Sequence, residues 1–344
     1  MRWRLALGTL NAGMLGLGLA PHVAVWSQPD SSAEHLAEAP PFRIVREVGG
    51  GFAGLAVDGQ RVFLGVGRRI AVLDGAESVE PPHLLGFTES LPDPILGIAL
   101  APESTLLGAA GRSLFVFDAS SPGVPPILFV HELDAEIQAL AAHAEVGFVV
   151  AGDRLRVLLI GSAGAPVEVG SLVLPSSPSR LIATADLAFV GLDPVFVLDV
   201  RDPSAPFIMG GLEDAVAPVD MAATGHTLYV LDRGMGINSR GRPVPMGTRL
   251  HTLQVDVTSG NIVRASAELA PPEADAFAGQ AVAAIDEAVY VTGSWEREWF
   301  THHELRCWEA HEPARPAASC EVEWQGLEHP AALIAARGRL FHAG

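Results

Sequence analysis

The chain contains no lysine: its 22 basic residues are all arginine, set against 40 acidic ones. Without lysine there is no Schiff-base or PLP chemistry, no P-loop lysine on a phosphate and no protein-kinase strand lysine. The formal net charge of −18 argues against autonomous nucleic-acid binding, in which phosphate neutralisation dominates affinity. No G-x-S-x-G elbow occurs, and no H-E-x-x-H or Cys/His ligand spacing. Gly49-x-Gly51-x-x-Gly54 matches a dinucleotide fingerprint, but a strand pattern follows it where that fingerprint needs a helix. Charged residues are only 18% of the 344 and hydrophobic residues 49%, too apolar for a disordered chain and ample for a large core.

The N-terminus has the three parts of a secretory signal peptide: Arg2 and Arg4, the apolar stretch Leu5–Ala20, and a small-residue exit. At 16 residues that stretch is short for a spanning helix, which needs about 20. Cleavage is expected after Ser27, with Val25 three residues before the cut, giving a signal peptide over 1–27 and a polar linker over 28–41. No cysteine follows the stretch to take a lipid. An uncleaved N-terminal anchor is the alternative. Either way the remainder faces a non-cytoplasmic compartment: secreted, periplasmic or at the cell surface, with no transmembrane span after cleavage.

From residue 42 to 344 the chain repeats. The pattern apolar-x-apolar-apolar-acid, followed by a turn, ends at Asp74, Asp118, Asp199 and Asp256, with degenerate copies at Leu159 and Glu309. Successive spacings are 44, 41, 40, 57 and 53 residues. Before each copy lies a strand–turn–strand pattern, and after it an apolar run, mostly preceded by proline. Four short strands in about 40 residues are the signature of a propeller blade. The acids recur in every good copy, which marks them as turn residues whose carboxylates accept backbone N–H bonds from the residues that follow. Six full units and a partial one, from Leu327 onward, predict an all-β, seven-bladed β-propeller. In this reading Pro40–Val48 supplies the fourth strand of the last blade and closes the ring. Strand three of that blade is missing, which reads as truncation of the chain.

The runs IAVLD, LFVFD and above all VFVLDVRDPSAP, around Asp199, resemble the LVIVD repeat of bacterial and archaeal extracellular proteins. The resemblance covers about residues 42–344. It implies a seven-bladed propeller at the cell surface, a binding scaffold and no transferable catalytic motif. Quinoprotein-like and lactonase-like propellers are the nearest alternatives.

Two units carry insertions, both between strands two and three, and so on one rim in adjacent blades. The first, Arg233–Arg249, holds Arg233, Arg240, Arg242 and Arg249; the second, Ser294–Glu304, holds Trp295, Trp299, Phe300, His302 and His303. Long loops on a rigid scaffold often carry function, and arginine with aromatics is typical of protein or glycan contact surfaces. The expected contact residues are Arg240, Arg242, Trp295, Trp299, Phe300 and His302. Packing of the two insertions against each other is the structural alternative. Adjacent His302 and His303 alternate faces in a strand and do not easily share one metal ion. Rim acids such as Glu89, Asp93, Asp134 and Glu136 could hold Ca²⁺, although solvated turn acids are the commoner case. The only cysteines, Cys307 and Cys320, fall on neighbouring strands of the sixth unit, and an oxidising compartment favours a disulfide over two free thiols. The functional expectation is a monomeric, non-enzymatic scaffold with a protein or glycan partner, no catalytic residues and no cofactor. The competing expectation is a lactonase-like, metal-dependent hydrolase with a cation at the channel mouth.

Overall fold

The computed structural model describes the strands Val23–Ser27 and Arg43–Arg46, then residues 53–75, 83–101, 104–161, 165–176, 178, 180–191, 194–212, 218–237, 243–269, 278–285, 288–297, 300–309, 320–324, 332–336 and 339–343. Among these residues there is no helix. The chain is an all-β propeller. Six blades are each four consecutive antiparallel strands, hydrogen-bonded in chain order. Blade 1 is Leu55–Asp58, Arg61–Val66, Arg69–Asp74 and His83–Phe87. Blade 2 is Ile95–Ala101, Thr105–Ala110, Ser113–Asp118 and Ile127–Glu132. Blade 3 is Ile137–His143, Val146–Ala151, Arg154–Leu159 and Val167–Val173. Blade 4 is Arg180–Ala183, Leu187–Gly191, Val195–Asp199 and Phe207–Leu212. Blade 5 is Pro218–Thr224, Thr227–Ile237, Pro243–Asp256 and Asn261–Glu268. Blade 6 is Ala278–Ile285, Ala288–Arg297, Phe300–Glu309 and Cys320–Trp324.

The expected seventh unit needs correction. Six blades are contiguous; the remaining four-stranded sheet is composite, drawing on both ends of the chain. Its order is Ala332–Ala336, Arg339–Ala343, Val23–Ser27 and Arg43–Arg46. The third strand, expected to be absent, is supplied by Val23–Ser27, the residues read from sequence as the end of a removable leader. It pairs antiparallel to Arg339–Ala343, from Val23 opposite Ala343 to Ser27 opposite Arg339. Inner strands neighbour one another in order from blade 1 to blade 6, and Ala332–Ala336 lies beside the inner strands of both blade 6 and blade 1.

Strands two and three are buried on both faces, which is why their sequences read as apolar runs and not as alternation. The core is accordingly divided among the spaces between blades. Phe63, Ile70 and Val72 of blade 1 pack with Leu106, Phe115 and Phe117 of blade 2. Leu187, Phe189 and Val197 of blade 4 pack in the same way with Leu228, Val230 and Leu253 of blade 5.

The repeated acids build the turns anticipated for them. Asp118 accepts from the Ser120 amide at 2.9 Å, Asp199 from the Arg201 amide at 3.0 Å and Asp256 from the Thr258 amide at 2.9 Å. The Ser120 hydroxyl, the Arg201 guanidinium and the Ser259 hydroxyl, respectively, hold these three carboxyls below the usual range. On the same rim Arg61 of blade 1 donates to the carbonyls of Ala119 and Ser121 in the blade 2 turn, tying neighbours together.

Four inner strands carry a bulge at the same place, and the residues after it are Gly97, Ala139, Asp220 and Ala281. Only blade 5 places an acid there. Asp220 accepts from the Val282 amide of blade 6 at 2.9 Å and lies 3.6 Å from the Arg180 guanidinium of blade 4. Burial pushes its carboxyl up to about 6, against the opposing pull of those partners.

Two outcomes follow from this packing. Phe117 is fully buried between blades 1 and 2, so Phe117→Ala is expected to cost about 3–5 kcal/mol, read from the shift in a urea unfolding curve. Asp220 binds its proton more tightly folded than unfolded, so its contribution to stability is full below its ordinary value of 3.8 and is lost as pH rises through about 6. Asp220→Asn is uncharged throughout. The difference in unfolding midpoint between wild type and variant is therefore expected to change across pH 4 to 6.5, wild type gaining as the pH falls, and to level off above.

Candidate binding rim

Connections from strand two to strand three, and from strand four to the next blade, emerge on one rim. In blades 1 to 3 the two-to-three turn is two residues long and opens on a glycine in the left-handed region: Gly67 (φ +57°), Gly111 (φ +57°) and Gly152 (φ +61°). Gly111 has a second constraint, since a Cβ there would lie 2.5 Å from an Asp93 carboxylate oxygen. These turns are tied down. The amides of Leu91, Leu133 and Leu174, each just past strand four, donate to the carbonyls of Arg68, Arg112 and Asp153 at 2.8, 2.9 and 2.8 Å. Arg68 Nε returns a bond to the Leu91 carbonyl at 2.7 Å, and Arg112 Nε to that of Leu133 at 3.1 Å. All three leucines are buried. Leu269 repeats the contact in blade 5, its amide donating to the Thr248 carbonyl at 2.9 Å. This leucine clamp is a repeated feature that the strand patterns did not reveal. In blades 1 to 3 its sequence signal is leucine followed by proline or acid, Leu91-Pro92, Leu133-Asp134 and Leu174-Pro175, whereas Leu269 is followed by Ala270.

Blades 5 and 6 depart from this plan. Their insertions, expected as loops, are continuations of the sheet. In blade 5 the ladder runs from Thr227 opposite Gln254 out to Ile237 opposite Pro243. The five residues Arg233–Ile237 carry the arm roughly 16 Å past Asp232, at about 3.3 Å per residue. In blade 6 the ladder runs from Ala288 opposite Glu309 out to Arg297 opposite Phe300. Two adjacent blades therefore extend as β-arms on a rim where the described turns of blades 1 to 3 are two residues long.

A polar network roots them. Asp232 and His251 are almost wholly buried, His251 Nε2 lying 3.3 Å from Asp232 Oδ2 and Nδ1 2.7 Å from the Ser266 hydroxyl. These contacts join strands two, three and four of blade 5 at the base of its arm. At the register position of His251 blades 1, 2 and 4 carry Ala71, Phe115 and Phe196, whereas blades 3 and 6 carry Arg156 and Arg306. Thr248, also fully buried, accepts from the Gly279 amide of blade 6 at 2.8 Å. Gly279 permits that approach, because a Cβ there would meet the Thr248 methyl at 2.7 Å. Arg306 Nη1 donates to the Leu269 carbonyl at 3.3 Å and Gln280 Nε2 to the Ser294 hydroxyl at 3.2 Å. The arms thus share one foundation across the blade 5–blade 6 boundary.

Of the expected contact residues, Trp295 and His302 are register partners on the blade 6 arm, and Phe300 opens its returning strand opposite Arg297. Arg240, Arg242 and Trp299 lie outside the described residues. Cys307 is disulfide-bonded, and its register partner across the sheet is Cys320. Asp134 pairs with Arg156, which also holds Glu168 at 2.8 Å, and the pairing with Glu168 raises the Arg156 pKa. Among the described residues no group of three or more His, Cys, Asp or Glu could hold a metal ion.

No protein-family model matches the chain, and no curated protein matches it. Solved structures share the fold. A functionally unknown protein from Desulfotomaculum acetoxidans is 12% identical at a TM-score of 0.59, over 84% of this chain and 92% of that one. A protein from Lactobacillus plantarum is 11% identical at 0.58, over 94% and 99%. The computationally designed Ika8 protein is 14% identical at 0.55, over 85% and 92%. At these identities the likeness is one of fold.

The shared foundation has a measurable consequence. Thr248→Val keeps the shape of the side chain and strands the Gly279 amide in a buried position, so a loss of about 1–3 kcal/mol is expected. Faster hydrogen exchange at Gly279, with the exchange of blade 2 unchanged, would place the loss at the blade 5–blade 6 boundary.

Proposed function

We propose that this chain is a non-enzymatic binding scaffold at the cell surface or in the periplasm, and that it works through the rim bearing the two arms. The observation that carries this reading is their pairing. Two adjacent blades extend the same hairpin, root it in a common buried network and raise it above a rim whose other described turns are short and clamped. A hairpin that only capped its blade would need no such reach. The arginines of the first arm and the aromatics of the second suit a protein or glycan partner. The seven-bladed LVIVD reading belongs here too: the composite sheet lies between blades 6 and 1, where a seventh blade would stand. No observation among the described residues favours the hydrolase alternative.

The test removes the blade 5 arm while leaving its base. A variant in which Gly234–Gly247 is replaced by a two-residue Asn-Gly turn retains Asp232, Thr248 and His251. It is expected to keep the wild-type unfolding midpoint and to lose, at least tenfold, the recovery of a cross-linked cell-surface partner identified with the wild-type protein. Equal recovery by a folded variant would dismiss the arm as the contact surface.

A further inference from the structure

We infer that Ser266 is an acylation site: a surface hydroxyl, activated by His251 and Asp232, that takes an acyl group from an activated ester. The inference goes beyond the scaffold reading and does not depend on the arms meeting a partner. The three residues stand in line across blade 5. His251, on strand three, has Val230 of strand two and Ser266 of strand four as its register partners. Asp232 lies two residues beyond Val230, and so on the same face of the sheet. Ser266 Oγ is 2.7 Å from His251 Nδ1, and His251 Nε2 is 3.3 Å from Asp232 Oδ2. Hydroxyl, imidazole and carboxyl in that order form the constellation in which a serine becomes a nucleophile, and geometry identifies it whatever the sequence order.

The surroundings of each group suit this role. Asp232 and His251 are almost wholly buried, whereas Ser266 is exposed on the outermost strand of its sheet. A carboxylate only accepts, so its contact places the ring proton on Nε2 and leaves the Nδ1 lone pair facing the serine hydroxyl. Strand four also supplies a donor for the oxyanion of an attacked ester. The Leu269 amide points inward, to the Thr248 carbonyl. Backbone amides alternate sides along a strand, so that of Ser266 points outward, where no further strand follows in the sheet. The charged neighbours are the arginines of strands three and four. Arg264, two residues before Ser266, donates to the Gly211 carbonyl of blade 4, and Arg249 is the register partner of both Asp232 and Glu268.

Blade 3 repeats the placement without the chemistry. Ser171 is exposed and holds the register position of Ser266, but its strand-three partner is Arg156. A guanidinium has no lone pair to accept the hydroxyl proton. Blade 5 alone among the six sets an imidazole beside that serine. In the step itself the Ser266 oxygen bonds to the acyl carbon and the hydroxyl proton passes to His251 Nδ1. The bond from the acyl carbon to the leaving oxygen breaks, and His251 returns the proton to that oxygen. One ester is exchanged for another with no change of oxidation state. The step ends at the serine ester and implies no turnover.

The test treats the full chain with p-nitrophenyl acetate and follows acetylation of Ser266 and Ser171 in the same molecule by peptide mass mapping. The chain has no lysine to compete for the reagent. Ser266 is expected to acetylate about a hundredfold faster than Ser171, or more, as a positioned general base allows. His251→Asn is expected to bring Ser266 down to the rate of Ser171. The wild-type ratio decides even where that variant does not fold. Equal rates at the two serines, or an unlabelled Ser266, overturn the inference, as does a folded His251→Asn protein that labels at the wild-type rate. The variant lacking the blade 5 arm retains Asp232, His251 and Ser266 and is expected to label like the wild type. Equal partner recovery by that variant, with selective labelling intact, would remove the rim reading and keep this one.

Discussion

No blade of this protein can bury its own faces. Strands two and three of blades 1, 2 and 4 are apolar on both sides, so each sheet depends on the next one for half of its core. That constraint forces a ring. It explains why the core is parcelled into clusters at blade boundaries, and why polar ties such as Arg61 to the Ala119 carbonyl also cross those boundaries. It also makes the ends of the chain structural. A gap between blades 6 and 1 would expose two apolar faces, and the composite sheet of both chain ends occupies that place.

The rim follows from the same logic. A blade's middle strands are fixed by their neighbours, so variation is cheapest where they leave the sheet. In blades 1 to 3 that exit is a glycine turn clamped by a buried leucine. In blades 5 and 6 the strands continue, and the cost of lengthening falls on the base of the arm. There the hydrophobic filling gives way to Thr248, His251, Asp232 and Ser294, which satisfy backbone and side-chain groups where the hairpins separate from the body. The polar network is thus a consequence of the arms and a condition for them.

Much of the fold was legible because the repeat is physical before it is statistical. The acid at the end of strand three recurs since a carboxylate there accepts the amides of the following turn, as at Asp118, Asp199 and Asp256. Where the acid is replaced by Leu159 the strand is still present, because packing of Leu155 and Val157 decides it. The arms were located correctly and misread in kind. RGMGINSRGRPVPMGTR has glycine and proline at loop frequency, yet its strands are carried outward by the ladder that begins inside the blade. The strand VAVWS was hidden for a different reason. An apolar β-strand and the end of a leader have the same composition, and periodicity over five residues cannot separate them. The polar pair Asp232–His251 was equally out of reach, because its meaning depends on which residues of three strands share a register.

Val23–Ser27 links these points. If the strand were dispensable, the ring would tolerate an open sheet beside blade 1, whose inner strand Leu55–Asp58 is the shortest class in the molecule and borders the composite sheet directly. Strands from Val23–Arg46 and Ala332–Ala343 instead build a four-stranded sheet at that place, with as many strands as each of the six blades. Equal strand number matters, because each face must match the width of the face it covers. A two-stranded remnant of Ala332–Ala336 and Arg339–Ala343 would cover only the inner half of its neighbours. Covering the inner strands of blades 6 and 1 thus draws Val23–Ser27 and Arg43–Arg46 into the sheet that stands between them.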